Sequence, residues 1–165
     1  MVEHYFLGLE VWQELGHIFL GQGKYAIDIL RRFLMEDCRP MSMPMVTNWK
    51  KLRAYEGELV DPTLYRQLIG SLMYLVNSRP DLCFAVNTLS RFMVEPRRVH
   101  WVAAKHVLRY LAGSVEYGLD YKRSDGIRVI GFTDSDWAGS VADRKSTSGC
   151  CFCLGSTAVS WFIQK

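Results

Sequence analysis

The spacing of apolar positions changes character twice along the chain. Between Tyr5 and Gln22 there are two β-prone runs, YFLGLEVW at 5–12 and HIFLGQ at 17–22, joined by a break at Glu14-Leu15-Gly16. Two such runs around a short glycine-containing joint predict a hairpin. From Lys24 to Met35 the spacing turns helical, with Tyr25, Ile29, Leu30, Phe33 and Leu34 on one stripe. Pro40 and Pro44 end that helix, and 38–60 reads as a long connection.

Asp61-Pro62 is a helix start, because aspartate caps free amides and proline suits the first helical position. Leu64, Leu68, Leu72 and Leu75 carry that helix to about Val76. Asn77-Ser78-Arg79-Pro80 breaks it and starts another, striped by Leu82, Ala85, Val86, Leu89 and Met93. Glu95-Pro96 breaks again, and Trp101, Ala104, Leu108 and Leu111 form a third stripe closed at Gly113. Short joints between helices predict a small bundle. Beyond Gly113 the period falls to two. Gly118–Tyr121 and Arg128–Thr133 read as strands around a turn at Ser124-Asp125-Gly126, with further strands at 148–154 and 158–162. The expected class is α+β: an N-terminal β-hairpin, a helical bundle, then an incomplete sheet. The boundaries expected are 1–23, 24–113, 114–127 and 128–165.

Composition narrows the picture a little. Hydrophobic residues make up 49% and charged residues 22%, a globular balance rather than a disordered one. No apolar run reaches the roughly 18–20 residues that span a bilayer, and the N-terminus lacks the basic start of a signal peptide. The five cysteines are odd in number and three crowd into 150–153, which argues against a disulfide framework and for a reducing, intracellular compartment, cytoplasm or nucleus, rather than secretion. They are expected to act as small buried apolar groups. The net charge of +3 is unevenly spread: from Arg97 to Val115 there is no acid, against Arg97, Arg98, Lys105 and Arg109. Such a surface suits an anionic partner, or is a solvated helix face. His100 and His106, six apart on a helix, do not share a metal. Tyr55, Tyr74 and Trp137 are read as packing groups.

Candidate chemistry sits at Thr133-Asp134-Ser135-Asp136, where an apolar strand runs into two carboxylates. Burying a carboxylate is costly unless a partner or metal compensates it. Asp134 and Asp136 project to one side if the strand continues, and there they are able to share a hard cation such as Mg2+. The spacing alone describes, more often, a solvent-facing strand end.

Three stretches carry a resemblance: YRQLIGSLMYLVNSRPDLCFAVNTLSRFM, HWVAAKHVLRYLAGS and GFTDSDWAGSVADRKSTSG. In order, over nearly the whole chain, they resemble the Pol polyprotein of copia-type retrotransposons. FLGLEV resembles the primer-gripping hairpin at the end of a reverse transcriptase palm. The resemblance implies that 24–113 covers the thumb and connection and that the chain from about 128 begins a ribonuclease H-like domain. It implies that Asp134 is the first metal-binding aspartate, with Asp136 its neighbour in the motif. Arg144, Lys145 and Ser146 are then placed near an RNA–DNA hybrid, with a solvated turn as the other reading. It also implies that Arg97, Arg98, Lys105 and Arg109 lie along a primer–template duplex.

Two-metal hydrolysis needs several carboxylates. No acidic residue follows Asp143, and no two aspartates are adjacent anywhere. The expectation is therefore a severed, non-catalytic piece with at most weak hybrid or duplex binding. The alternatives are a domesticated protein-interaction module and a ribonuclease H completed by another chain. An incomplete sheet also predicts self-association through its open edge.

Overall fold

A computed structural model describes residues 2–45, 57–123, 126, 128–136 and 147–164. They divide into a helical unit, 22–117, and a strand unit built from 1–21 and 118–165.

The helical unit contains α1 (Gly23–Arg32), α2 (Pro62–Leu75), α3 (Cys83–Ser90) and α4 (Arg98–Ala112). Asp61 caps α2, its carboxylate accepting from the Thr63 N–H at 2.8 Å, with Pro62 at the first position. Tyr65, Leu68, Ile69, Leu72 and Leu75 form the buried stripe of α2. Leu64, expected on that stripe, is 39% exposed, because the face that packs is centred three to four residues apart from Tyr65 onward. A short 3-10 turn at Pro80–Leu82 leads into α3, which buries Cys83, Ala85, Val86, Thr88 and Leu89 on almost every side. Ala103, Ala104, Val107, Leu108 and Leu111 of α4 and Ala26, Ile29 and Leu30 of α1 complete one continuous core. Tyr65 is fully buried and donates its hydroxyl to the Leu89 carbonyl at 2.9 Å, tying α2 to the end of α3.

Two local expectations change. The first helix stops at Arg32, not Met35, and Leu34 takes a left-handed φ of 55° and faces solvent. Gly113 does follow α4, but at φ −87° it needs no left-handed freedom. A side chain there would come within 2.9 Å of Pro40, so close approach of the 40–41 segment is what requires glycine.

In the strand unit, β1 (Val2–Phe6), β2 (Leu9–Glu14), β3 (His17–Gly21) and β4 (Gly118–Lys122) form an antiparallel sheet in that order. The 5–12 run, expected as one strand, is split by a two-residue turn at Leu7-Gly8 with φ of 50° and 78°. Positive φ at both positions is the signature of a hairpin turn, and leucine in the first hides it from sequence. The strand at 118–122 forms, but not as half of a hairpin with 128–133. It pairs with β3, His17 opposite Lys122 and Gly21 opposite Gly118, so the start and the middle of the chain share one sheet. His17 and Lys122 both pair with the Asp120 carboxylate, Lys122 at 3.4 Å.

A second antiparallel sheet has the order β5 (Val129–Asp136), β6 (Thr147–Leu154), β7 (Thr157–Gln164). Tyr121 donates to the Ala158 carbonyl at 2.8 Å and Thr157 to the Asp120 carbonyl, which fastens β7 to β4. Both faces of this sheet carry exposed apolar side chains: Ile130 and Phe132, and Val129, Phe152, Leu154 and Phe162. The architecture is α+β, as expected. No helix among the described residues is long and apolar enough to cross a membrane.

Candidate nucleic-acid interface

Helix α4 starts without an acidic residue in its first turn and without a side-chain cap of the usual kind. Its first turn is instead fastened by His100, whose Nδ1 accepts the Arg97 N–H at 2.9 Å. The His100 ring is 1% exposed and stacks on Phe92, centroids 3.8 Å apart. His100 is thus a packing and capping group. His106, on a different face, meets the Met43 carbonyl at 3.0 Å.

Opposite the buried face of α4 lie the cations. Arg98, Lys105 and Arg109 are seven and eleven positions apart, which brings them within a narrow strip of the helix surface. Arg109 donates Nε to the Arg39 carbonyl at 2.8 Å, and Lys105 sits 5.7 Å from the centre of the Trp101 ring. Arg98 is exposed at the helix start. The positive end of the helix dipole adds to Arg98 there, where an anion is stabilised. Arg97 departs from the group. It is directed to the Gly57 carbonyl at 2.8 Å and to Glu95 at 2.5 Å, so it straps a loop and its charge is matched.

Asp134 lies on β5, exposed, opposite Gly149 of β6, and β5 continues through Asp136, opposite Thr147. Neither β6 nor β7 contains an acidic residue, so the sheet brings no carboxylate to Asp134 from another strand. Among the described residues no group of three or more His, Cys, Asp or Glu is placed to hold an ion. The described residues therefore do not by themselves fit a two-magnesium centre. Arg144, Lys145 and Ser146, like Tyr55 and Trp137, lie outside the described residues. Of the cysteines, Cys83 is buried while Cys38, Cys150, Cys151 and Cys153 are half-buried, so the expectation of buried apolar thiols holds for one. Burial, then the neighbouring Cys153, pushes the Cys151 thiol up.

Comparison with known proteins adds what geometry does not. Over 163 residues the chain is 42% identical to the retrovirus-related Pol polyprotein from transposon RE2 of Arabidopsis thaliana, covering 98% of the chain. It is 39% identical over 162 residues to the uncharacterized mitochondrial protein AtMg00810 of the same plant, covering 98% of the chain and 67% of that protein. The chain is homologous to copia-type retrotransposon Pol polyproteins over nearly its whole length. A shorter match, 46% over 102 residues, covers 72% of the secreted RxLR effector protein 161 of Plasmopara viticola. This Pol homologue spans 11% of the length of the RE2 polyprotein. No family model and no solved structure matches it.

Among the described residues, one buried and densely bonded polar group is not singled out by the sequence pattern. Arg79, which in sequence is only part of a helix break, has a side chain 3% exposed. Its guanidinium binds Asp81 at 2.7 and 3.0 Å and the carbonyl and hydroxyl of Ser114 at 2.8 and 2.7 Å. Tyr110 donates to the same Asp81 carboxylate at 2.8 Å, and the Tyr110 and Tyr117 rings lie 5.8 and 5.3 Å from the guanidinium carbon. Burial alone would raise the Asp81 carboxyl, but Arg79 and the Tyr110 hydroxyl outweigh it and hold it below its ordinary value. The cluster ties the α2–α3 joint to the end of α4. A sequence signal for it does exist: an arginine and an aspartate flanking Pro80 inside an otherwise apolar stretch.

Proposed function

We propose that this chain is the piece of a copia-type Pol polyprotein in which the end of a reverse transcriptase meets the opening strands of a ribonuclease H-like domain. In this reading β1–β3 are the palm-end hairpin region, α1–α4 the thumb and connection, and β5–β7 the first ribonuclease H-like strands. The piece holds the backbone of an RNA–DNA hybrid or primer–template duplex weakly and does not cut it. The observation that carries the reading is the strip Arg98, Lys105 and Arg109 on the solvent face of a helix whose other face is fully packed. Three cations on one helix face suit a polyanionic backbone better than three scattered ones, and such contacts read shape rather than sequence. Arg97 is excluded from the contact set by its pairing with Glu95.

The absence of cutting follows from charge. A two-ion site requires several convergent carboxylates. The chain offers Asp134 and Asp136, no acidic residue follows Asp143, and no other strand of this sheet supplies one. Asp134 keeps a vestigial place at the strand where a first metal ligand would stand. Magnesium is accordingly the cofactor of the longer parent polyprotein.

A labelled RNA–DNA hybrid, titrated at several salt concentrations, tests both parts. Binding is expected to weaken steeply with salt. Replacing Arg98, Lys105 and Arg109 together with glutamine lowers the salt slope by about two to three, whereas Arg97→Gln leaves the slope unchanged. The same hybrid stays intact with Mg2+ present. Cleavage that disappears in Asp134→Asn would overturn the non-catalytic part.

A further inference from the structure

We propose that the segment 39–43 is part of the nucleic-acid surface, where it fixes Arg109 through its main chain and brings Arg39 beside it, so that the two arginines hold one backbone phosphate together. This rests on the nucleic-acid reading above and extends its contact set beyond α4.

The segment lies along the second half of α4 and is held there by main-chain groups. The Met41 N–H donates to the Arg109 carbonyl at 3.2 Å. His106 Nε2 meets the Met43 carbonyl at 3.0 Å, and Arg109 Nε donates to the Arg39 carbonyl at 2.8 Å. Gly113 lets Pro40 come close, since a Cβ there would stand 2.9 Å from the Pro40 Cβ. None of these contacts uses the Arg39 side chain, and Arg39 is exposed.

The bond to the Arg39 carbonyl decides how Arg109 works. A guanidinium carries five N–H donors in a flat fork. With Nε spent on a fixed carbonyl, the plane of the group is set and its terminal nitrogens remain for an anion. Phosphate oxygens accept such a fork in pairs. The same bond places Arg109 Nε within about 5 Å of the Arg39 Cα. A side chain as long as arginine's returns over that distance, so both guanidinium groups reach one phosphate. Two cations this close repel each other, and a phosphate bound between them relieves the repulsion. The acids just before the segment do not answer the charge. Glu36 is bonded to Arg31 at 2.8 Å, and among the described residues no ion pair joins Asp37 to Arg39 or Arg109. The strip of Arg98, Lys105 and Arg109 thus gains a fourth cation from a different element, next to its third.

Titration of a labelled RNA–DNA hybrid with the whole 165-residue protein, at several salt concentrations, tests this. Arg39→Gln is expected to lower the salt slope by about one and to weaken binding about five- to tenfold at about 0.1 M salt. Arg109→Lys keeps the charge and so keeps the slope. It still weakens binding about fivefold, because a lysine cannot hold the carbonyl and present a planar fork at once. With Arg109→Gln already in place, Arg39→Gln should cost clearly less than it does alone, since the two share a phosphate. Each variant should keep the helical circular dichroism spectrum of the parent, because neither arginine is buried. An unchanged slope in Arg39→Gln, an Arg109→Lys protein that binds like the parent, or strictly additive losses overturns the proposal. In each of these cases the loss on replacing Arg98, Lys105 and Arg109 together still supports the reading above. A parent protein that does not bind the hybrid overturns both.

Discussion

The helical unit and the strand unit of this chain use similar amounts of apolar sequence in opposite ways. In 22–117, the aliphatic stripes of four helices close on one another, and Leu68, Ile69, Leu72, Leu89, Leu108 and Leu111 reach zero exposure. In the strand unit, Phe6, Ile18, Val129, Phe132, Val159 and Phe162 remain substantially exposed, and among the described residues Leu119 is its one buried large apolar side chain. A helix needs one neighbour on one face, so four short helices suffice to enclose a core. A sheet has two faces and two edges, and three strands bury neither face. The helical unit therefore has the makings of an independent fold, whereas the strands carry surface suited to further partners.

The contrast can be broken most sharply by paired truncations. Leu72→Ala, at a fully buried position, is expected to cost about 3 kcal/mol. Phe132→Ser, at an exposed one, should stay within about 0.5 kcal/mol in the monomer. Urea unfolding followed by helical circular dichroism compares the two, and equal losses would erase the distinction between the units. Nearly as large is the effect of Arg79→Leu. It leaves Asp81 and the Ser114 carbonyl without their buried partner, and the helical unit loses about 2–3 kcal/mol. The loss falls toward the lower end because Asp81 keeps some contact with water.

The smallest effect is one of pH. The folded chain holds the Asp81 carboxyl below its ordinary value, so the unfolded chain takes up the proton at higher pH. The stabilisation is complete above about pH 4 and is lost as pH falls through the depressed folded value. At the alkaline end Tyr110 is pushed up to about 12 by burial and by the Asp81 carboxylate it donates to, so its contribution fades as pH rises from about 10 toward that value. Thermal unfolding against pH should show both slopes, and Asp81→Asn should flatten the acidic one.

Much of the helical unit is legible in the residues themselves. Asp61-Pro62 marks the start of α2 by local chemistry, and the stripes of α3 and α4 follow from helical periodicity. What escapes sequence depends on long-range pairing. Nothing between Gly118 and Lys122 announces that its partner lies a hundred residues earlier at His17–Gly21, because strand periodicity specifies a face and leaves the neighbour open. The turn at Leu7-Gly8 is hidden by a leucine in a conformation that favours glycine. At the candidate interface, the cationic stretch stands out as a group, but sequence does not separate Arg97 from Arg98, since only folding brings Glu95 and Gly57 against one and not the other. Arg79 escapes notice because buried arginines are recognised by their partners, and Ser114 and Tyr110 are remote in sequence.

Hydrogen exchange resolved by mass spectrometry, on dilute protein, bears most directly on the division between the two regions. Peptides from 62–75, 83–90 and 98–112 should exchange together and slowly, through a single cooperative opening. Peptides from 129–136 and 157–164 should exchange orders of magnitude faster. Equal protection across the helices and the β5–β7 sheet would contradict the division into a well-packed helical unit and a set of strands with exposed apolar faces.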